Sequence, residues 1–219
     1  MKVIVLAAGQ GYHLDGFNKL LLKHPITNER IIESYIRLFG RDNLHFVLGY
    51  RAINVIHNYS NLNYIYNSDW AIANNSLSLS IVLDETPCIV LSGDLFLDDS
   101  LVEKILKGPP NLTVTKNNDA RSSSSLNIIK NNSSIISEIY QGKLKNPRDL
   151  EAMGIYKICD ESLLKSWKKK CLKNKNLFVG QNLDFSKSNI YSLEIFGNDL
   201  FEINHPDDYL RYLDSQRLS

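Results

Sequence analysis

Two glycines, a lysine and an aspartate carry the most chemical information in this 219-residue chain. Gly9 and Gly11 follow an apolar, β-branched run at residues 3–6, and Lys19 comes shortly after them. With no Cβ in the way, backbone N–H groups at such a turn can approach an anion closely, and a nearby lysine adds a mobile positive charge. Phosphate binding is the chemistry this combination suggests. Two better-defined phosphate loops are excluded by spacing. A dinucleotide fingerprint needs G-x-G-x-x-G, but the third glycine is Gly16, two residues late, and no G-K-[ST] follows for a P-loop.

Asp94 follows a wholly apolar run at 88–91 and the pair Ser92-Gly93. A carboxylate at that edge can hold a divalent cation between phosphate oxygens, or it can serve as a turn or helix-capping residue. Asp98 and Asp99 are better placed to cap a helix starting near Ser100. Asn74, Asn75 and Ser76 could read a base or ribose with amide and hydroxyl groups, or cap the helix they precede. Glu202-Ile203-Asn204 adds a further polar group near the end of the chain. All four features fall at the ends of expected strands, where open α/β sheets bind ligands.

The elements that must position them follow from periodicity. Strand-like runs occur at 3–6, 44–48, 62–66, 88–91, 112–115, 126–129, 135–140 and 191–195. Helical patterns at 28–39, 52–57, 76–83 and 100–106 separate the earlier ones. This alternation predicts a Rossmann-like α/β/α fold of three layers around a mostly parallel sheet. After Gly108-Pro109-Pro110 the chain turns rich in Asn, Ser and Lys, as expected of a small inserted β-rich lobe, with a solvated turn at the serine run 122–125. Helices are expected at 161–172, with its lysines in solvent, and at 206–216, where Asp207 and Asp208 suit a helix N-terminus. We expect a single domain over 1–219, with a ligand-binding part at about 1–110 and a second part at about 111–200.

With 25 Lys and Arg against 24 Asp and Glu, the formal charge of +1 provides no global field for nucleic acid or anionic membranes. The N-terminal apolar stretch is too short for a leader or a membrane span. Cys88, Cys159 and Cys171 are odd in number and form no C-x-x-C pair, so a reducing, cytoplasmic setting is expected.

Residues 6–22, L-A-A-G-Q-G-Y-H-L…N-K-L-L-L, resemble the signature L-A-A-G-x-G-x-R-[LM]…P-K-x-L of nucleotidyltransferases with the GT-A type fold. The strand followed by Gly93-Asp94, and E-I-N-H-P-D-D-Y-L at 202–210, resemble that family's metal aspartate and its E-I-D-x-x-x-D-[LY] segment. Residues 67–79 are similar to the N-N-x-x-S-L segment of cytidylyltransferases acting on phosphocholine or 2-aminoethylphosphonate.

The resemblance implies transfer of CMP from CTP to a small phosphate or phosphonate, releasing pyrophosphate, with Mg2+ or Mn2+ as cofactor. Lys19 and Asp94 would be catalytic, and Asp94 with Asn204 would hold the metal. Leu6, Ala7, Ala8, Gly9, Gln10, Gly11, Tyr12, His13, Asn75, Ser76 and Gly93 would join Lys19 around the nucleotide. Lys116 stands where phosphocholine-type enzymes place a basic residue, and it and Lys143 would bind the acceptor, with Arg148 a further candidate. Asp184 and Glu194 could meet a cationic acceptor, whereas Tyr140, Tyr156 and Trp167 read as core. The same resemblance admits a sugar 1-phosphate or molybdopterin as acceptor, a monomer or a homodimer, and a nucleotide-binding regulatory module without turnover. Three departures matter: His13 replaces arginine, Asn18 replaces proline, which on the sequence merely loosens the loop, and Asn204 replaces an aspartate.

Overall fold

A computed structural model describes residues 1–117, 125–197 and 199–217 of the chain. A nine-stranded sheet runs through it. Strands β1 (Lys2–Ala7), β2 (Leu44–Leu48), β3 (Asn63–Tyr66) and β4 (Cys88–Ser92) are parallel, in the spatial order β4-β1-β2-β3. Helices α1 (Ile31–Phe39), α2 (Ala52–Asn58) and α3 (Asn75–Ser80) connect them, and α4 (Asp99–Lys107) follows. The alternation expected from the sequence is therefore present through residue 107.

Both faces of β1 are covered, which is why it reads as a continuous apolar run. Val3 and Val5 pack with Ile31, Ile32 and Tyr35 of α1 and Leu101 of α4. Ile4 faces the other way, toward Leu79 of α3 and Trp167 of a later helix, α5 (Glu161–Lys173). These two apolar layers on opposite sides of the sheet give the α/β/α arrangement.

Beyond α4 the chain builds β6 (Leu112–Lys116), the hairpin β7 (Leu126–Lys130) and β8 (Ile136–Gln141), then β9 (Leu150–Ile158) and β10 (Tyr191–Ile195). Strand β9 runs antiparallel between β4 and β6 and joins the two halves of the sheet. Sequence reasoning does not find it, because Glu151, Ala152 and Gly154 are poor strand formers in its first half. Pairing on both sides overrides that propensity, and Gly154 is required: its φ is 68° and a Cβ there would stand 2.5 Å from Ser92 Oγ. Strands β5 (Leu95–Leu97) and β11 (Leu200–Glu202) form a separate antiparallel ribbon, too short to leave a pattern in sequence. The last helix, α6, spans Pro206–Arg217.

The expected solvated turn at 122–125 falls largely outside the described residues. All three cysteines are free, and burial pushes the thiols of Cys88 and Cys171 up to about 12. Among the described residues no helix is long and apolar enough to cross a membrane.

Lys157 on β9 links the sheet to α4. It is 4% exposed, and its ammonium lies 3.0, 2.9 and 3.0 Å from the carbonyl oxygens of Ile105, Leu106 and Gly108. A buried cation is tolerated here because it meets the otherwise unpaired carbonyls and negative dipole at the helix C-terminus. Lys157→Met keeps the apolar stem and removes all three bonds. It is expected to cost about 2–3 kcal/mol, read as a lower urea midpoint at unchanged slope.

Candidate functional site

The site forms where the ends of β1 and β4 meet. Past Ala7 the chain runs through Gly9 and Gly11 into two short 3-10 turns, Tyr12–Leu14 and Lys19–Leu21. The second is fixed at both ends: Asn18 Oδ1 accepts the N–H of Leu20 at 3.1 Å, and Leu20 is fully buried. Lys19 lies between cap and anchor. Across from it, Gly93 donates its N–H to Leu6 O at 3.0 Å, an approach only glycine permits because a Cβ there would stand 2.6 Å from Ala7 Cβ. The buried Tyr35 hydroxyl lies 2.9 Å from the carbonyl oxygens of both Ser92 and Leu95, bracing the turn that carries Asp94.

The end of the chain is brought in by the short ribbon. Leu95 of β5 pairs with Glu202 of β11, and the Ile203 N–H donates to Asp94 O at 3.1 Å. Asp208 then accepts the N–H groups of Asn204 and His205 at 2.8 and 2.7 Å, which orients Asn204.

The result is a cavity of about 200 Å³. One wall is Leu6, Ala7, Gly9 and Gly11; Asn18, Lys19, Asn75, Ser92, Gly93 and Asp94 complete it. The Lys19 ammonium is 2.8 Å from Asp94 Oδ2 and 2.7 Å from Asn204 Oδ1. Asn204 Nδ2 donates to Glu202 Oε1 at 2.8 Å. Burial, reinforced by the charge of Asp94, pushes the Glu202 carboxyl well above the usual carboxylate range.

The donors fit a hard divalent cation: the Asp94 carboxylate and the Asn204 amide oxygen already meet at one positive charge, and the Glu202 carboxylate lies next to them, bonded to the same amide's Nδ2. Asp94 Oδ1 is buried with no hydrogen-bond partner, and Glu202 faces a like charge, so both carboxylates are incompletely compensated. The set is lean, since among the described residues no group of three or more His, Cys, Asp or Glu side chains converges. A cation here would depend on the amide and on ligand oxygens as well.

Of the residues singled out by sequence, Leu6, Ala7, Gly9, Gly11, Lys19, Asn75, Gly93 and Asp94 share this cavity, and Asn204 reaches it through Lys19. Others are elsewhere. Ala8 is buried and its carbonyl accepts the Tyr50 N–H; Gln10 does not line the cavity, and Tyr12 is 75% exposed. His13 is also exposed, its ring 4.1 Å from that of His205. Ser76 cannot read a ligand: it is fully buried on the α5 side of α3, accepting a bond from Asn182 Nδ2 at 2.8 Å. The cap of α3 is Asn74.

Lys116 donates to Gly197 O at 2.9 Å, and Lys143 and Arg148 lie in an exposed loop, all outside the cavity wall. Asp184 is held by Ser166 and Lys170, and Glu194 by Lys130, so neither faces the cavity. Tyr140, Tyr156 and Trp167 are core, as expected. Asn18 does not loosen its loop. Its φ of −73° is that of a proline, and its side chain adds a cap that proline lacks. Sequence reasoning missed Asn18 as a wall residue, and it set Ser92 and Glu202 at the ligand edge without giving either a role.

No family model matches the chain, and no curated protein matches it in sequence. Solved structures do. The chain superposes on the CTP:phosphocholine cytidylyltransferase of Streptococcus pneumoniae with a TM-score of 0.72 at 16% identity, covering 100% of this chain and 99% of that one. The inositol-1-phosphate CTP transferase of T. maritima gives 0.70 at 15% identity, covering 98% and 96%. The nucleoside-diphosphate-sugar pyrophosphorylase of Vibrio cholerae gives 0.73 at 11% identity, covering 98% and 100%. The fold is therefore the one these proteins share, over essentially the whole chain.

Proposed function

We propose that this protein is a nucleotidyltransferase that moves CMP from CTP to a small phosphorylated or phosphonylated acceptor. One observation carries the reading: a lysine ammonium bridges Asp94 and Asn204 in a glycine-walled cavity at the strand ends. That is a place for an anion and a cation side by side, as a metal–triphosphate requires. The acceptor oxygen attacks the α-phosphorus, the bond from that phosphorus to the bridging oxygen breaks, and pyrophosphate leaves. An ionised phosphate or phosphonate acceptor needs no general base, so the protein's work is to hold two anions together and stabilise charge on the bridging oxygens.

Lys19 would turn from Asp94 toward the triphosphate, and backbone N–H groups of the 8–11 loop would face the same oxygens. Asp94, Asn204 and Glu202 would hold Mg2+ or Mn2+, which supplies Lewis-acid polarisation of the phosphoryl group. Asn75 lines the cavity with its Oδ1 held by the Val179 N–H at 3.0 Å, so its Nδ2 could donate to a base edge such as O2 or N3 of cytosine. CTP is also the nucleotide named for two of the similar structures.

The test is pyrophosphate release from CTP, UTP, GTP and ATP with Mg2+ and a panel of small phosphates, phosphonates and sugar 1-phosphates. CTP with a non-sugar acceptor is the expected pair; release with none sinks the enzymatic reading. A nucleotide-binding module without turnover is the competing reading, favoured by the amide at Asn204 and by His13 stacking on His205. It gives CTP binding with no release.

Gly9 provides a sharper probe. A Cβ built there meets nothing within 4 Å, so Gly9→Ala adds a methyl to open cavity space without touching the fold. The expected result is an unchanged melting temperature with CTP affinity reduced roughly tenfold or more, measured by calorimetric titration. Unchanged affinity would place the triphosphate elsewhere.

A further inference from the structure

We propose that the side-chain amide of Asn18 is a phosphate-binding group of this cavity, adding a hydrogen-bond donor beside Lys19 where the loop has His13 in place of an arginine. The proposal rests on the nucleotide-transfer reading. Asn18 is 6% exposed and lines the cavity beside Lys19 and Gly11. The amide orientation is fixed chemically: Oδ1 accepts the Leu20 N–H at 3.1 Å, and an inverted amide would set donor against donor. Nδ2 is thereby committed as a donor, and it is buried with no acceptor.

Buried donors without partners are uncommon, and each keeps a free-energy cost that an incoming acceptor can relieve. Among the described residues only two buried side-chain polar atoms lack a partner: Asn18 Nδ2 and Asp94 Oδ1. The two residues that carry them, Asn18 and Asp94, both line this one cavity. One is a donor and the other an acceptor, the complement of an anion accompanied by its cation. Elsewhere in the described interior, polar side chains are satisfied, including the amides of Asn67, Asn111 and Asn182.

The residue also fits a gap in the loop. The signature that residues 6–22 resemble has arginine at the position of His13, but here that ring is exposed and turned onto His205. Proline at position 18 would suit a φ of −73° while supplying neither the cap nor the donor. Asparagine preserves the turn and adds one hydrogen bond for an oxygen seated against the wall.

Calorimetric titration of the full chain with inorganic tripolyphosphate and with CTP, each with Mg2+, tests this on wild type, Asn18→Ser and Asn18→Asp. Both replacements can still cap Leu20; serine should melt near the wild-type temperature, and aspartate, which buries a charge, should melt lower. Serine is too short to reach the cavity and should weaken tripolyphosphate binding about tenfold, and aspartate, which turns an oxygen toward the anion, about a hundredfold. In wild type, the Asn18 side-chain NH2 signal in a 15N spectrum should shift on adding tripolyphosphate, a readout independent of either variant folding. An unmoved signal, or equal affinities in the three proteins, overturns the role of Asn18 while leaving the transfer reading standing if CTP and an acceptor still yield pyrophosphate. If wild type binds neither tripolyphosphate nor CTP, both fail.

Discussion

Lys19→Met is expected to slow pyrophosphate release by about a thousandfold, the loss typical of removing one preorganised charge from a developing oxyanion. Among the described residues the ammonium is the only side-chain cation lining the cavity. Its place is set by its neighbours on either side, the buried Leu20 and Asn18, which caps that residue's N–H. Methionine keeps the stem's packing, so the fold should survive. The ion pair with Asp94 is mostly buried, with 20% and 18% of the two side chains exposed, so its loss leaves Asp94 uncompensated and should also lower the melting temperature. Single-turnover release and a melting curve on the same preparation separate the two effects. Activity within a few-fold of wild type, with folding intact, would mean that the reaction does not use this cavity.

The same residues show where sequence was informative. β1 and β4 are covered on both faces, so they read as unbroken apolar runs, and the glycines and Asp94 that follow them had to fall at a sheet edge. Glu202 was different. Its position depends on pairing between Leu95 and Glu202, remote in sequence and carried by strands of only three residues. Ser76 was misread because amide and hydroxyl residues in a row look alike until the helix they start has a direction: its first residue, Asn75, meets the cavity and the next is turned into the α5 packing. Asn18 looked like a lost proline because the φ it shares with proline is invisible in sequence, as is the partnerless donor on its side chain. Strand β9 was hidden by a glycine needed for contact with Ser92, a tertiary requirement that local propensity cannot anticipate.

Asp94→Asn is expected to abolish both turnover and divalent-cation binding, whereas Asn204→Asp should tighten cation binding about tenfold, each carboxylate adding charge that a hard cation prefers over an amide. Mn2+ titration of the nucleotide-free protein, followed by electron paramagnetic resonance, measures this without reference to activity. Asp94 Oδ2 and Asn204 Oδ1 now contact the Lys19 ammonium, so a cation must displace that group, and Asp94 Oδ1 is a buried acceptor without a partner among the described residues. The pH dependence has a definite sign. Burial and the nearby Asp94 raise the Glu202 carboxyl to about 7, so the folded state holds that proton more tightly than the unfolded chain does. The resulting stability is fully present below the ordinary glutamate range and is lost as pH rises through about 7. Mn2+ competes with the same proton, so its affinity should rise over that interval while the melting temperature of the ligand-free protein falls. Glu202→Gln removes the titration and should flatten both curves. If Mn2+ binds Asp94→Asn as tightly as wild type at every pH, the oxygens gathered around Lys19 are a structural ion pair and the cation is held elsewhere.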